Sequence, residues 1–413
     1  MIAPPVVKDI PEAKTKTASK CCMKSLRILL VMNELPLPFG HACGRWYYVL
    51  LKGLVERGHS VIAFAPSDSS REIAMAHELF PSATYDLRTF QYPLRRGLQA
   101  KWETLKRPFS YMISPEMIGE FEAECGKGYD VLHLEGIWSG WIGQNQNLSR
   151  ALLNFHNLYD IDLEKQQPDW SSLVGRRLLR RAERHLLRSY PTLLTLSSRL
   201  KEAVHVIAPQ ATAHVVPLGL ETDLYPFISA ESRPSEPVIS VIGSMGWYPS
   251  HSAAVRLLTR LWPAIKERVP HARVQIVGWN ALSALKDYLN LPGVQIVENV
   301  PDTQLYFDSA SVMLYAPESG SGMKVKILEA FAFGVPVVTT GEGVEGIPAE
   351  DGVHAGICDD DAGLIERAIR LLQDVGQQER QRTAARDLLE KHCGSQATLD
   401  GIEKTYTEVL RAP

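Results

Sequence analysis

The sequence predicts an α/β protein built from two doubly wound, parallel-sheet domains that face each other across a cleft. Short apolar runs alternate with amphipathic helical stretches along nearly the whole chain, and that rhythm builds parallel sheets with helical crossovers. It is interrupted at 223–237, DLYPFISAESRPSEP, which has three prolines and no apolar period and reads as a linker. A chain of 413 residues has room for two larger or three small domains, and the linker selects two.

Taken in order, residues 1–25 are polar, Lys-bearing and free of an apolar core, so they predict a disordered lead-in and not a secretory signal. LRILLVM at 26–32 predicts a buried strand, and the loop 33–44 carries Pro36, Pro38, Gly40 and Gly44. Trp46, Tyr47, Leu50, Leu54 and Val55 then recur at helical spacing, Gly58 stops that helix, and SVIAFA resumes as a strand. YDVLHLEG at 129–136, ALLNFH at 151–156, a basic helix over 171–189, TLLTLSS and HVVPLGL complete the first half. Open parallel sheets bind ligands at their strand ends, which brings Asn33, Glu135, His156 and Ser197 to one rim. After the linker come VISVIG at 238–243, a helix over 252–268, RVQIVG, VQIVE, SVMLYA, a helix over 323–333 and PVVTT. Helices at 361–373, 378–391 and 398–410 finish the chain. The predicted units are a lead-in at 1–25, a first domain at 26–228, a second at 229–393, and a terminal segment at 394–413 whose helix is expected to cross back to the first.

Composition narrows the function. Lys and Arg total 44 against 47 Asp and Glu, a net charge of −3, which excludes a protein dominated by nucleic-acid electrostatics. No apolar run approaches the ~18 to 20 residues of a membrane span. Cys21, Cys22, Cys43, Cys125, Cys358 and Cys393 lack metal-ligand spacing and suit a reducing, cytoplasmic compartment.

The stretch 318–340, ESGSGMKVKILEAFAFGVPVVTT, carries the most chemistry. Gly320, Ser321 and Gly322 form a turn that follows a strand and opens a helix, where backbone amides and the helix dipole favour an anion. Lys324 and Lys326 in the first turn oppose that dipole unless a negative ligand is present, and Glu329 lies one turn further on. The Asp160–Asp162 and Asp359–Asp361 pairs are metal-like in spacing, but the second precedes a helix and reads as a cap.

This stretch resembles the donor-binding segment of family four glycosyltransferases of the GT-B fold, with their two Rossmann-like domains, in the subgroup with a GSGxKxKxLEA string. ERGHSV, FHN at 155–157, VPLGLETDLY, VIGSMGWYP, ARVQIVGWN and VENVPD agree with it. The resemblance implies an enzyme that moves a sugar from a nucleoside diphosphate, retaining and without a metal or other cofactor. It implies that Glu329 binds the ribose, that Gly320, Ser321, Gly322, Lys324 and Lys326 hold the diphosphate with Gly243 and Ser244, and that Val297 to Val300 read the base. His156 would lie under the transferred sugar, and with Lys326 and Glu318 forms the catalytic set. Gly40, Gly44, Glu135 and Trp138 are the acceptor-side candidates. Two departures stand out: Ser321 occupies the place of the family's first glutamate, leaving Glu318 as a substitute, and SMGWYPSH replaces the usual Arg and Lys after the strand at 238–242. A nucleotide-sugar epimerase of the same fold and a non-catalytic binding protein are the alternatives.

Two stretches are rich in cations. The segment 94–112 mixes Arg95, Arg96, Lys101, Lys106 and Arg107 with Trp102, Phe109 and Tyr111, suited either to an anionic membrane surface or to solvent. The segment 175–190 reads as a helix with an arginine face in solvent. The partners expected are a nucleotide sugar and a glycan, lipid-linked or small-molecule acceptor, with peripheral membrane contact through 94–112.

Overall fold

The protein is described from a computed structural model that covers residues 24–93, 97–164, 170–229, 232, 236–300 and 302–411. Residues 1–23 of the lead-in, with Cys21 and Cys22, and Arg95 and Arg96 lie outside the described residues.

Arg27–Val31 (β1) forms because four successive apolar side chains after Arg27 are buried on both faces of a sheet, the pattern of a central parallel strand. It pairs with Ser60–Pro66 (β2) and Val131–Glu135 (β4). Asp86–Phe90 (β3), Ala151–Phe155 (β5), Thr192–Thr195 (β6) and Thr212–Val215 (β7) extend the sheet to the order β3-β2-β1-β4-β5-β6-β7. The second sheet comprises Val238–Ile242 (β8), Arg273–Gly278 (β9), Val294–Glu298 (β10), Val312–Tyr315 (β11), Val337–Thr339 (β12) and Gly356–Ile357 (β13). Its order is β10-β9-β8-β11-β12-β13. All pairings between these strands are parallel. In both sheets the order reverses beside the first strand, which opens a crevice at its carboxyl end.

Three elements depart from the sequence expectation. The helix at 252–268 is broken: Tyr248–Arg256 is α-helical, Leu257–Leu261 is a π-turn, and Trp262–Arg268 resumes. Pro263 has no amide hydrogen to donate back along the helix, so the ladder shifts register there. The helix expected at 323–333 is Val325–Phe333, with Lys324 at its N-cap and Gly334 closing it in the left-handed region at φ 74°, so only Lys326 lies in the first turn. The strand in HVVPLGL stops at Val215, before Pro217, and Leu220 instead bridges to Gly394.

The linker is stitched to the second domain. The buried Arg382 donates to the carbonyls of Gly334 and Ile228, and its guanidinium lies 4.1 Å from the ring centre of Phe227. The last helix, Ser395–Arg411, lies against the Ala42–Glu56 helix and β4, so Leu399 fills the space where Gly53 has no side chain. The Trp170–Ser189 helix has the expected solvent-facing arginines at Arg177, Arg181, Arg184 and Arg188, and some of its arginines also tie it to its surroundings. Arg180 and Arg184 pair with Asp160, and Arg188 donates to the carbonyl of Ile207.

Candidate active site

The strand ends of the two sheets meet at the loops after β5 and β11. A Cβ on Gly322, whose φ is 76°, would lie 1.8 Å from the carbonyl oxygen of His156. Only glycine permits that approach, so the turn that reads as a phosphate loop is also where the domains touch. Ser321 binds the first domain directly. Its amide and its hydroxyl both donate to Asp162 Oδ1 at 2.7 Å, and its Oγ accepts from the Leu158 amide at 2.8 Å. The carboxylate of Asp162 therefore already occupies one of the amides expected to face an anion, and Asn157 Nδ2 supports it at 2.7 Å.

Lys324 is buried, and its ammonium donates to Gly322 O at 2.6 Å and lies 3.8 Å from Glu345. Burial pulls it below its ordinary value. Glu345 in turn accepts from Ser197 at 2.7 Å and pairs with Arg199 at 3.1 Å, a further tie between domains.

Lys326 takes another direction. Its side chain runs past Gly243, its Nζ is 2.9 Å from Glu329 Oε2, and burial lowers it despite that carboxylate. Glu329 is 1% exposed and also pairs with Arg45, from the first turn of the Ala42–Glu56 helix. Burial opposes its charge, but Arg45 and Lys326 outweigh it and hold the carboxyl below the usual range.

On the facing sheet Glu135 is fully buried at the end of β4. It accepts from Trp46 Nε1 at 3.0 Å, Asn154 Nδ2 at 3.0 Å and His156 Nε2 at 3.0 Å, and lies 2.8 Å from His133 Nε2. His133 Nδ1 is 2.7 Å from the hydroxyl of Tyr406 on the last helix. The other ring nitrogen of His156, Nδ1, is 3.5 Å from Cys43 Sγ. Burial opposes a charged ring at His156, but Cys43 and Glu135 outweigh it and push the imidazole up to about 10.

Two cavities flank this centre. One of 390 Å³ is lined by Met245 to Pro249, His251, Gly320 and Asp162, on the second-domain side. The other, of 330 Å³, is lined on the first-domain side by Gly40, Gly44, Glu34, His41, Asp68, Glu72 and Tyr92 among others. Gly40 and Gly44 thus face a cavity, Glu135 stands behind His156, and Trp138 is buried with its ring 5.0 Å from that of Phe109. Ser244 is exposed after β8, while Val297 and Val300 are half-buried at the end of β10. Glu318 is on the surface, 3.4 Å from the Tyr248 hydroxyl and 3.6 Å from Arg260. The other metal-like pair is spent on structure: Asp360 caps the Asp361–Gln373 helix, and Asp361 pairs with Arg256 and Arg260.

Sequence reasoning missed Arg45, Cys43 and His133. Arg45 and His133 were detectable as charged or polar residues inside otherwise apolar patterns, GRWYYVLL and VLHLE; Cys43 gave no such signal.

Two crevices at facing strand ends, one bearing a buried Glu and Lys on a helix after a glycine turn, define a two-domain α/β protein with its candidate site between the sheets. Residues 44–219 match the model described as a glycosyl transferase 4-like domain, and residues 236–374 match the one for glycosyl transferases group 1. The chain belongs to the group 1 glycosyltransferases and is a transferase. No curated protein matches the sequence significantly. Among solved structures, sucrose-phosphate synthase from Thermosynechococcus elongatus is similar over 94% of this chain and 100% of its own, at 17% identity and a TM-score of 0.67. The Anabaena protein HepE, in complex with UDP and glucose, is similar over 93% and 100% at 14% identity and a TM-score of 0.64. WaaG, a glycosyltransferase involved in lipopolysaccharide biosynthesis, is similar over 93% and 99% at 13% identity and a TM-score of 0.60. These likenesses establish the GT-B fold.

His156 should stay an imidazolium at about pH 8, because its folded value near 10 lies above the ordinary 6.5. The stability it lends is complete below about 6.5 and is lost as pH rises through about 10. Nitrogen NMR of the histidine rings reads this directly, and a neutral His156 ring at about pH 8 would contradict the assignment.

Proposed function

We propose that the chain transfers a sugar from a nucleoside-diphosphate sugar to a hydroxyl of a glycan, lipid-linked or small-molecule acceptor, with retention of configuration and without a metal. The observation that carries this reading is the convergence of Glu329, Lys326 and Gly243 at one sheet's strand ends, opposite His156 on the other. Glu329 takes the ribose hydroxyls, the base lies toward Val297 and Val300, and the diphosphate lies along Gly243, Ser244, the Gly320–Gly322 turn and Lys326. The sugar reaches across to His156, whose second ring nitrogen exchanges its long contact with Cys43 for a sugar hydroxyl. As the bond from the sugar to phosphate breaks, its electron pair stays on the phosphate oxygen. Oriented cations lower the barrier by stabilising that growing charge. The acceptor hydroxyl enters from the cavity beside Gly40 and Gly44, forms the new bond on the same face, and passes its proton to the departing phosphate. Lys324 acts here as a brace that shapes the turn.

The test is release of nucleoside diphosphate from a panel of UDP-, GDP-, ADP- and dTDP-sugars with candidate acceptors. Turnover is expected with one donor base, unaffected by EDTA, and Glu329→Gln should lower kcat/KM about tenfold or more. No turnover with any donor, or an unchanged Glu329→Gln variant, contradicts the reading. Conversion of the donor with no acceptor present identifies an epimerase instead.

We also propose that the enzyme works in the cytoplasm with the Gly97–Lys106 helix against an anionic bilayer. Among the described residues no helix is long and apolar enough to cross a membrane. Leu98, Trp102 and Leu105, at i, i+4 and i+7 on this helix, are all exposed beside Lys101 and Lys106. Sedimentation with anionic phosphatidylglycerol vesicles should occur and should fall for Trp102→Ser; equal recovery with neutral phosphatidylcholine vesicles, or no effect of the variant, counts against it.

A further inference from the structure

The second domain supplies too few cations for a diphosphate. The turn after β8, SMGWYPSH, contains no Lys or Arg, and Lys324 is turned onto the carbonyls of its own loop and toward Glu345. Lys326 remains at Glu329. A nucleoside diphosphate brings at least two negative charges into this interior, and bond cleavage concentrates charge on the departing oxygen.

Arg45 enters from the opposite domain. It is 8% exposed and ion-paired to Glu329 through one guanidinium nitrogen. Its Nε and Nη2 are buried, and besides Glu329 the guanidinium has the Tyr225 hydroxyl within side-chain hydrogen-bonding reach, at a geometry that satisfies neither nitrogen. A buried polar group left in this way calls for an explanation, and an absent ligand is one. The planar guanidinium suits phosphate oxygens, which it meets with two parallel N–H groups.

We propose that Arg45 is the second diphosphate cation of the donor site, delivered by the facing domain and parked on Glu329 until the nucleotide's ribose takes that carboxylate. The assignment rests on the reading of Glu329 as the ribose ligand. When the donor binds, Glu329 moves from Arg45 to the ribose hydroxyls and the freed guanidinium turns to the phosphates. As the sugar–oxygen bond breaks, its electron pair remains on the phosphate oxygen beside Arg45 and Lys326. The acceptor oxygen forms the new bond, and its proton ends on that phosphate. Because Arg45 belongs to the first domain, the leaving group is fully neutralised only with both domains together, which guards the donor against water.

Calorimetric titration of the full chain with UDP, GDP, ADP and dTDP, and with the matching nucleosides, tests this. Arg45→Met should weaken the best nucleoside diphosphate about tenfold to hundredfold, the range for one charged hydrogen-bonded contact. It should leave the nucleoside unchanged or tighter, since Glu329 is released. Arg45→Lys, which keeps the charge but loses the fork, should recover part of the diphosphate affinity. Equal losses for diphosphate and nucleoside, or none for either, overturn the proposal and leave Arg45 a structural latch. If Arg45→Met fails to fold by circular dichroism, the Lys variant decides alone: a loss confined to the diphosphate supports the assignment and unchanged affinity overturns it. Wild-type protein that binds no nucleoside diphosphate, or nucleoside binding indifferent to Glu329→Gln, overturns the ribose reading and this assignment with it. Nucleoside binding weakened by Glu329→Gln while Arg45→Met binds diphosphate normally overturns this assignment only.

Discussion

The pairing of the Glu329 carboxylate with Arg45 and Lys326 is the interaction on which the cleft depends. A carboxylate 1% exposed keeps its charge only if cations are brought to it, and here one comes from its own helix and the other from the facing domain. The same constraint draws the strand ends together, so Gly322 must lack a side chain against His156 and Ser321 must bind Asp162. The proposed donor site and the domain contact thus share one set of residues. A ligand that competes for Glu329 acts on both.

On the other side Glu135 has the same role as a buried charge with several partners. It orients His156, and it receives the side chain of Trp46 from the helix that also carries Arg45. Through His133 and Tyr406 it is tied to the last helix. That helix rests on the first sheet, although in sequence it follows the second, because Leu220 and Gly394 bridge between them. The C-terminal segment therefore supports the histidine from behind.

Much of the fold was legible because central parallel strands are apolar on both faces and end in Gly or polar residues: β1, β4, β5, β8 and β11 are all read from that pattern. The glycine turn and its helix were legible from the GSGMKVKILEA string. The directions of the lysines were not. Spacing places Lys324 and Lys326 near one turn, but two residues along a helix start point opposite ways, and one ammonium satisfies carbonyls while the other meets Glu329. Ser321 binding Asp162 and Arg45 reaching Glu329 are contacts between residues 159 and 284 positions apart, set by how two domains pack and invisible to local periodicity. Trp138, a strand-end aromatic expected on the rim, is buried with its ring stacked on that of Phe109, a packing contact that spacing does not reveal.

The measurement that bears most directly on this account is a crystal structure of the full chain with the tightest-binding nucleoside diphosphate. The account predicts the ribose hydroxyls within hydrogen-bonding distance of Glu329 and the guanidinium of Arg45 turned from that carboxylate to the phosphates beside Lys326. An intact Arg45–Glu329 pair with the nucleotide bound elsewhere would contradict it.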